Sequence, residues 1–421
     1  MPPDAMTSSF GAATSCARFD SGSGVPQDLR PHIEHLYSTS DAQFERTMGG
    51  FIGPSIAEGN QVTAYDNGDQ IFPAMLEAIQ GARKTITFET YIYWSGDIGR
   101  RFADALAERC RAGVRVHVLL DWLGSDRIDK KILSTLDDAG VQVERYHPLR
   151  WYSVHRINNR THRKLLVVDG ATGFTGGVGI ADVWTGHAQN PSHWRDTHYR
   201  VRGPVVAQMQ AVFLDNWTKV SGQVLHGEAY FPPLESQGSV RAQMFSSSPS
   251  GGADRMRLMY LVAITAAEHS IRLAGAYFVP DARALEALIA ARRRGVRVQV
   301  ITPGEHVDSR TVRRASRARW GALLAADVEI SEYQSTMYHR KGLIIDERFV
   351  SVGSTNFDPR SFGLNDEANL NVYDQTFAVH QVASFEADLQ RARRISYDEW
   401  KRRPYRERIG EWAASLLTPW L

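Results

Sequence analysis

Residues 161–170 read THRKLLVVDG and residues 338–347 read YHRKGLIIDE. Both carry the spacing His-x-Lys-x-x-x-x-Asp, as His162, Lys164 and Asp169 and again as His339, Lys341 and Asp346. In both, a glycine follows seven residues after the aspartate, Gly176 and Gly353. With 14 His, 7 Lys and 27 Asp in the chain, chance supplies about 0.015 copies of the triplet, so two copies are a signal. Lysine is scarce, 7 against 42 arginines, which suggests that these positions need an ammonium. An ammonium is a compact point charge able to reach one phosphate oxygen, whereas a guanidinium is a broad planar fork.

Working outward, the two stretches belong to a longer internal repeat. The order FPAMLEAIQGARK, TITFETYIYW, GRRFADALAERCRAG, VRVHVLLDW in the first half returns as MRLMYLVAITAAEHS, IRLAGAYFVP, ARALEALIAARRRG, VRVQVITPG in the second. Each half then runs through a short helix and a strand, AGVQVERY or ADVEISEY, into its His-Lys strand. Helical patterns alternating with short β-branched runs argue for an α/β fold with mixed or parallel sheets. The Gly-, Ser- and Pro-containing SGQVLHGEAYFPPLESQGS reads as the linker between halves. The expected division is a flexible N-terminal extension over 1–58, a first half over 59–222, a linker over 223–240, a second half over 241–400, and a basic amphipathic segment over 401–421.

Bulk composition bounds the function. A chain of 421 residues with 43% hydrophobic and 23% charged residues is globular and has room for two domains. A net charge of +2 gives no global attraction to nucleic acid. Two cysteines, Cys16 and Cys110, provide neither a disulfide framework nor a cysteine zinc site and favour a reducing compartment. No apolar run approaches the length of a membrane span, and the N-terminal stretch has no basic segment leading into an apolar core, so no cleaved signal is expected. A soluble or peripheral protein is expected.

On a strand, residues i and i+2 face the same side, so each His projects with its Lys. A pseudo-twofold pairing of the halves would bring two His and two Lys to one cleft. That set suits a phosphodiester: lysines neutralise the non-bridging oxygens, one neutral imidazole attacks phosphorus, and the other protonates the leaving alkoxide and then activates the second alcohol. Each histidine also wants a carboxylate to hold its tautomer; Asp196 in WRDTH and Glu367 in LNDEANL are the downstream candidates. No metal and no cofactor is expected.

These stretches resemble the phospholipase D superfamily and, within it, the bacterial cardiolipin synthase branch without transmembrane helices. The resemblance rests on HRKLLVVDGATGFTGGVGIADVW, WRDTHYRVRGPVVAQMQ, HRKGLIIDERFVSVGSTNFDPRSFGLNDEANL, TFETYIYW and AYFVPD, and spans residues 60–421. It implies two similar α/β/α sandwich halves packed with pseudo-twofold symmetry, and a catalytic set of His162, Lys164, Asp169, His339, Lys341 and Asp346. Within that set it implies His162 as nucleophile, His339 as general acid and base, both lysines as phosphate ligands, and Asp169 and Asp346 as holders of strand and turn. It further implies that Ser354 and Asn356 border the phosphate and that Glu367 orients the neighbouring histidine. The second half reads GSTN from Gly353 to Asn356, but the first reads GGVG from Gly176 to Gly179. The first half therefore lacks these side-chain donors, and the backbone around Gly177 is the expected replacement.

Weaker features are read against plainer uses. Arg310, Arg313, Arg314 and Arg317 lie on one helix face with no acid in SRTVRRASRARW, either a solvated face or a docking site for anionic headgroups. Ile409, Trp412, Leu416 and Trp420 recur at helical intervals, either as a docked terminal helix or as an interfacial anchor. Trp151, Tyr152, Trp184 and Trp194 read as core or rim packing. Glu89 reads as a buried partner for an active-site lysine. His187, His193 and His198 lack firm ligand spacing and read as a loop near the cleft. The resulting expectation is a phosphatidyltransferase acting on phosphatidylglycerol, with phosphatidylethanolamine as another possible partner, at the inner face of the cell membrane. A hydrolytic phospholipase D is the nearest alternative, then a nuclease, then an inactive membrane scaffold; no nucleic acid partner is expected.

Overall fold

Both motif strands are short apolar runs buried on two faces, and this places them inside a covered sheet. The computed structural model describes residues 33–147, 159–249 and 253–418; Cys16, Trp151, Tyr152 and Trp420 lie outside them. The first half contributes β1 (Ala57–Asp66), β2 (Thr85–Thr90), β3 (Arg115–Asp121), β4 (Gln142–Tyr146), β5 (Leu165–Val168), β6 (Thr172–Gly176) and β7 (Thr197–Arg202). The second contributes β8 (Val240–Ser247), β9 (Ser270–Gly275), β10 (Arg297–Pro303), β11 (Glu329–Tyr333), β12 (Lys341–Ile345), β13 (Phe349–Gly353), β14 (Glu367–Tyr373) and β15 (Ala392–Ile395).

The strands form one sheet in the order β15-β11-β10-β9-β12-β13-β14-β8-β1-β7-β6-β5-β2-β3-β4. Read outward from the antiparallel β1–β8 seam, the two arms match strand for strand until β15, which has no counterpart. This is the expected α/β repeat with pseudo-twofold symmetry. In each arm the outer strands (β2, β3, β4 and β9, β10, β11) run parallel, and the motif strand runs antiparallel to its neighbours. Each motif strand therefore begins beside the C-terminal end of its antiparallel neighbour, β2 or β9, and Lys341 pairs with Gly275.

Helices cover both faces. α1 (Ala42–Thr47) precedes the first half, which supplies α2 (Asn67–Gln80), α3 (Asp97–Arg111), α4 (Lys130–Asp137) and α5 (Val206–Ser221). The second supplies α6 (Ala253–Thr265), α7 (Ala282–Arg293), α8 (Arg310–Ala325), α9 (Pro359–Gly363), α10 (Gln375–Leu389), α11 (Tyr397–Lys401) and α12 (Tyr405–Ser415). On β5, Leu166 and Val168 join the core under α2 and α3, while Leu165 and Val167 join a second core shared with β12 to β14. A strand covered on both faces must be apolar throughout, hence LLVV. No helix among the described residues is long and apolar enough to cross a membrane.

The expected flexible extension over 1–58 requires correction from residue 33 onward. Phe44, Met48 and Ile52 recur every four residues and are buried, and the Phe44 ring meets Phe349 at 5.3 Å and Tyr373 at 6.1 Å. Asp41 caps the helix by accepting from the Gln43 amide at 2.7 Å. The segment is thus folded onto the second half, because a helical apolar stripe is buried there.

Candidate active site

The halves are stitched together at their motif strands, and this stitching builds the site. Two isolated parallel bridges join Thr161 to Asp366 and Arg195 to Tyr338. The His162 amide donates to the Asp366 carbonyl at 2.9 Å, and the His339 amide donates to the Arg195 carbonyl at 2.8 Å. Each motif histidine is therefore laid against the segment of the other half that carries a carboxylate one residue further on. His162 Nδ1 lies 3.0 Å from Glu367 Oε1, and His339 Nδ1 lies 2.7 Å from Asp196 Oδ2. The pairing crosses the pseudo-twofold axis, so Asp196 serves the histidine far from it in sequence, as Glu367 does.

Strand alternation sorts the remaining motif residues. Lys164 Nζ donates to its own half's His162 carbonyl at 2.7 Å, and Lys341 Nζ to the His339 carbonyl at 2.8 Å. The arginines between them face away and act as pins. Arg163 donates to the Val212 carbonyl at 2.9 Å on α5, and Arg340 to Gln381 at 2.9 Å on α10. Asp169 and Asp346 do not join the catalytic set. About seven extended residues, roughly 23 Å, separate each from its histidine, and each gathers backbone amides at the helix-to-strand turn. Asp169 accepts from Arg83, Lys84 and Thr85, and Asp346 from Glu268, His269 and Ser270, at 2.6–3.1 Å.

Glu89 also requires correction. It pairs in register with Leu165, which shares its face with Thr161 and Arg163 rather than with Lys164. Its carboxylate accepts from Thr161 Oγ1 and from Asn216 Nδ2, the latter at 2.8 Å. Burial pushes this carboxyl up to about 7, against the pull of Arg163. The expected histidine loop disperses: His187 meets Asp69, His193 meets Asn190, and His198 is buried beside Gly176.

The two carboxylates have different surroundings. Glu367 accepts from Ser354 Oγ at 2.5 Å as well as facing His162. In the first half Gly177 takes the place of Ser354, and a Cβ there would stand 2.4 Å from Asp196 Oδ1. Gly177 thus makes room for a carboxylate of the protein, and the Trp184 indole, donating to Asp196 Oδ2 at 3.2 Å, supplies the hydrogen bond that Ser354 supplies opposite. Asn356 is buried with its side-chain oxygen unpartnered.

Electrostatics follow this asymmetry. Burial, then Lys164, Lys341 and His339, hold His162 well below the usual imidazole range. Burial and Lys341 also lower His339, but Asp196 and Asp308 act in the opposite direction. Burial raises Glu367 despite Lys164 and Ser354. Burial would raise Asp196 too, yet His339 and Lys341 hold it below the ordinary carboxylate range. Burial and Lys341 lower Lys164, so both lysines and both histidines feel one another. Three residues taken for packing, or not singled out, belong here: Tyr91 lies 5.1 Å from the His162 ring, and Trp184 and Trp194 lie 5.3 and 5.4 Å from the His339 ring. Tyr91 lies in TFETYIYW, Trp184 closes IADVW and Trp194 opens WRDTH, but only contact distances separate such residues from core aromatics.

A family model described as "Cardiolipin synthase, PLD-like domain" matches residues 75–190 and 260–389. A cardiolipin synthase of Alkalihalophilus pseudofirmus is 34% identical over 369 residues, 87% of this chain and 73% of that one. The major cardiolipin synthase of Bacillus subtilis is 35% identical over 365 residues, 86% and 76% of the two chains. Among solved structures, a phosphatidylserine synthase from Haemophilus influenzae superposes with a TM-score of 0.70 at 14% identity, covering 91% of this chain and 100% of that one. At that identity the likeness speaks for the fold. Taken with a two-halved sheet and paired His-Lys motifs that converge, the match over more than half of the sequence establishes that the chain belongs to the cardiolipin synthase family of phospholipase D-like proteins.

Proposed function

We propose that the protein is a phosphatidyltransferase that joins two phosphatidylglycerol molecules into cardiolipin and releases glycerol. Neutral His162 attacks phosphorus through Nε2, since Nδ1 is committed to Glu367. The P–O bond to glycerol breaks as His339 donates its proton to the departing oxygen, leaving a phosphatidyl group on His162. His339, now neutral, takes the proton from a hydroxyl of the second phosphatidylglycerol, which attacks phosphorus and frees His162. Lys164 and Lys341 hold the non-bridging oxygens throughout, and Ser354 and Asn356 border them. Phosphatidylethanolamine carries no free headgroup hydroxyl and would enter only as the phosphatidyl donor, releasing ethanolamine in the first step and leaving the second unchanged. The protein would act peripherally, at the inner face of the cell membrane.

The observation that carries this reading is the crossed pair of His–carboxylate contacts. Each carboxylate would hold its histidine with the proton on Nδ1 and Nε2 free for the substrate, while burial and the lysines keep His162 far from protonation and Asp196 supports a proton on His339. The test is product analysis with phosphatidylglycerol vesicles by mass spectrometry. Cardiolipin with matching glycerol is expected, and His162→Ala should give no phospho-enzyme after a quench in alkaline denaturant, which preserves the acid-labile phosphohistidine of wild type. Phosphatidic acid as the sole product would make the enzyme a hydrolase, and a covalent adduct on His339 would reverse the two roles.

A further inference from the structure

Among the described residues, nothing covers the apolar outward face of α12. Tyr405, Ile409, Trp412 and Leu416 stand at i, i+4, i+7 and i+11, forming one stripe along the helix. They are 76%, 63%, 63% and 60% exposed. The opposite face docks α12 on α8: Ala414 packs with Val279, Val312 and Ala315, and Glu411 binds Arg317 at 3.1 Å and Arg403 at 2.6 Å. The stripe is therefore the side turned outward from a docked helix, and large apolar stripes facing water mark interaction sites.

Cations border the stripe. Of the four arginines expected on one face of α8, Arg313 and Arg317 pair with Glu332 at 2.6 and 3.2 Å. Arg310 and Arg314 remain exposed, as do Arg402, Arg406 and Arg408 around α12. None of these five makes an ion pair with an acid among the described residues. Glu407, an exposed acid of α12, turns toward α8 and lies 3.7 Å from Arg317.

The stripe also ends near the chemistry. Glu407 and Glu411 lie beside Arg317 while Ala414 reaches Val312 and Ala315, so α12 runs antiparallel to α8 and finishes near its start. Immediately before α8, Asp308 accepts from Tyr277 at 2.5 Å and exerts its charge on His339 and Lys341. Tyr277 in turn accepts, through its carbonyl, from the amide of Phe357, the neighbour of Asn356, at 3.0 Å.

We infer that this face seats the enzyme on a bilayer containing anionic lipid. α12 lies in the headgroup plane, its stripe enters the acyl boundary, and the arginines rest on lipid phosphates beside the catalytic opening. Charge favours this occupant over a second copy of the chain, because a twofold contact would set these guanidinium groups against their own images. The inference rests on the lipid-substrate reading above and adds the surface through which lipid is reached.

The test uses the full chain, the doubly substituted Ile409→Ser/Trp412→Ser protein, and Arg310→Ser/Arg314→Ser. Each is floated with vesicles of phosphatidylcholine alone and of equal parts phosphatidylcholine and phosphatidylglycerol. Wild type should float with the mixed vesicles, less so at high salt, and each double variant should partition about tenfold less. Turnover of monomeric dihexanoyl phosphatidylglycerol should be unchanged in both variants, showing that the fold and site survive. Equal partitioning of variants and wild type would overturn the inference, as would a wild-type dimer that Ile409→Ser/Trp412→Ser dissociates. The two readings fail separately: α12-dependent flotation by a protein that transfers no phosphatidyl group would remove the enzyme and leave the membrane face. Vesicle turnover indifferent to α12 would do the reverse.

Discussion

Under the proposed mechanism, Asp196→Asn should impair His339 and spare phosphorylation of His162, although Asp196 lies in the same half as His162. The Asp196 carboxylate sits 2.7 Å from His339 Nδ1 and is buried. A buried hydrogen bond to a charged group contributes about 1.5–3 kcal/mol, which corresponds to about 10- to 150-fold in a rate that depends on protonated His339. Two assays separate the steps. Overall cardiolipin formation, in which glycerol must be protonated as it leaves, should fall by that factor. Rapid-quench phosphorylation of His162 from a p-nitrophenyl phosphatidyl ester, whose leaving group needs no proton, should stay within about threefold of wild type. Because Asp196 raises the proton affinity of His339, its loss should also move the alkaline limb of the pH–rate profile to lower pH, where His339 still carries its proton. Glu367→Gln should show the converse, with phosphorylation slowed for both donors. Equal slowing of both assays by Asp196→Asn would refute the crossed assignment.

Gly177→Ala would place a Cβ 2.4 Å from Asp196 Oδ1, so it should reproduce the Asp196→Asn defect, read by the same pair of assays. Glu89→Gln should leave the rate of cardiolipin formation within about threefold, since Glu89 faces Thr161 and Asn216; a larger loss of activity in a protein of wild-type urea midpoint would return it to the site. Phe44→Ala should destabilise the chain by about 3–5 kcal/mol in urea unfolding, because its ring fills a pocket against Phe349 and Tyr373. Burial lowers His117 to about 4, so the folded chain refuses a proton that the unfolded chain accepts. Its contribution is therefore intact above about 6.5 and lost as pH falls toward about 4, and His117→Gln should flatten unfolding midpoints across that window.

Much of the architecture was legible because it is local. HRKLLVVD and HRKGLIID announce strands by their apolar runs, and the i, i+2 alternation separates His and Lys from the intervening Arg without any tertiary information. Helix-strand order in each half likewise follows from periodicity. The errors arose where one face or one partner had to be chosen. Glu89 was assigned to a lysine, yet the β2–β5 register turns it toward Arg163. Phe44, Met48 and Ile52 do not stand out in the sequence, because the Ser- and Gly-rich residues before them dominate the composition of 1–58. Arg313 and Arg317 looked free because Glu332 and Glu411, which neutralise them, lie 15 and 94 residues away from Arg317.

By itself, then, the sequence determined that two copies of a His-Lys strand exist, that each copy presents both polar residues on one face, and that the surrounding elements form an α/β repeat. These depend on backbone periodicity and on the burial of short apolar runs, both of which act over a few residues. Only the tertiary structure decided that Glu367 supports His162 and Asp196 supports His339. That choice depends on two bridges between segments 205 and 143 residues apart, Thr161 to Asp366 and Arg195 to Tyr338, and no local propensity favours the crossed pairing over the uncrossed one.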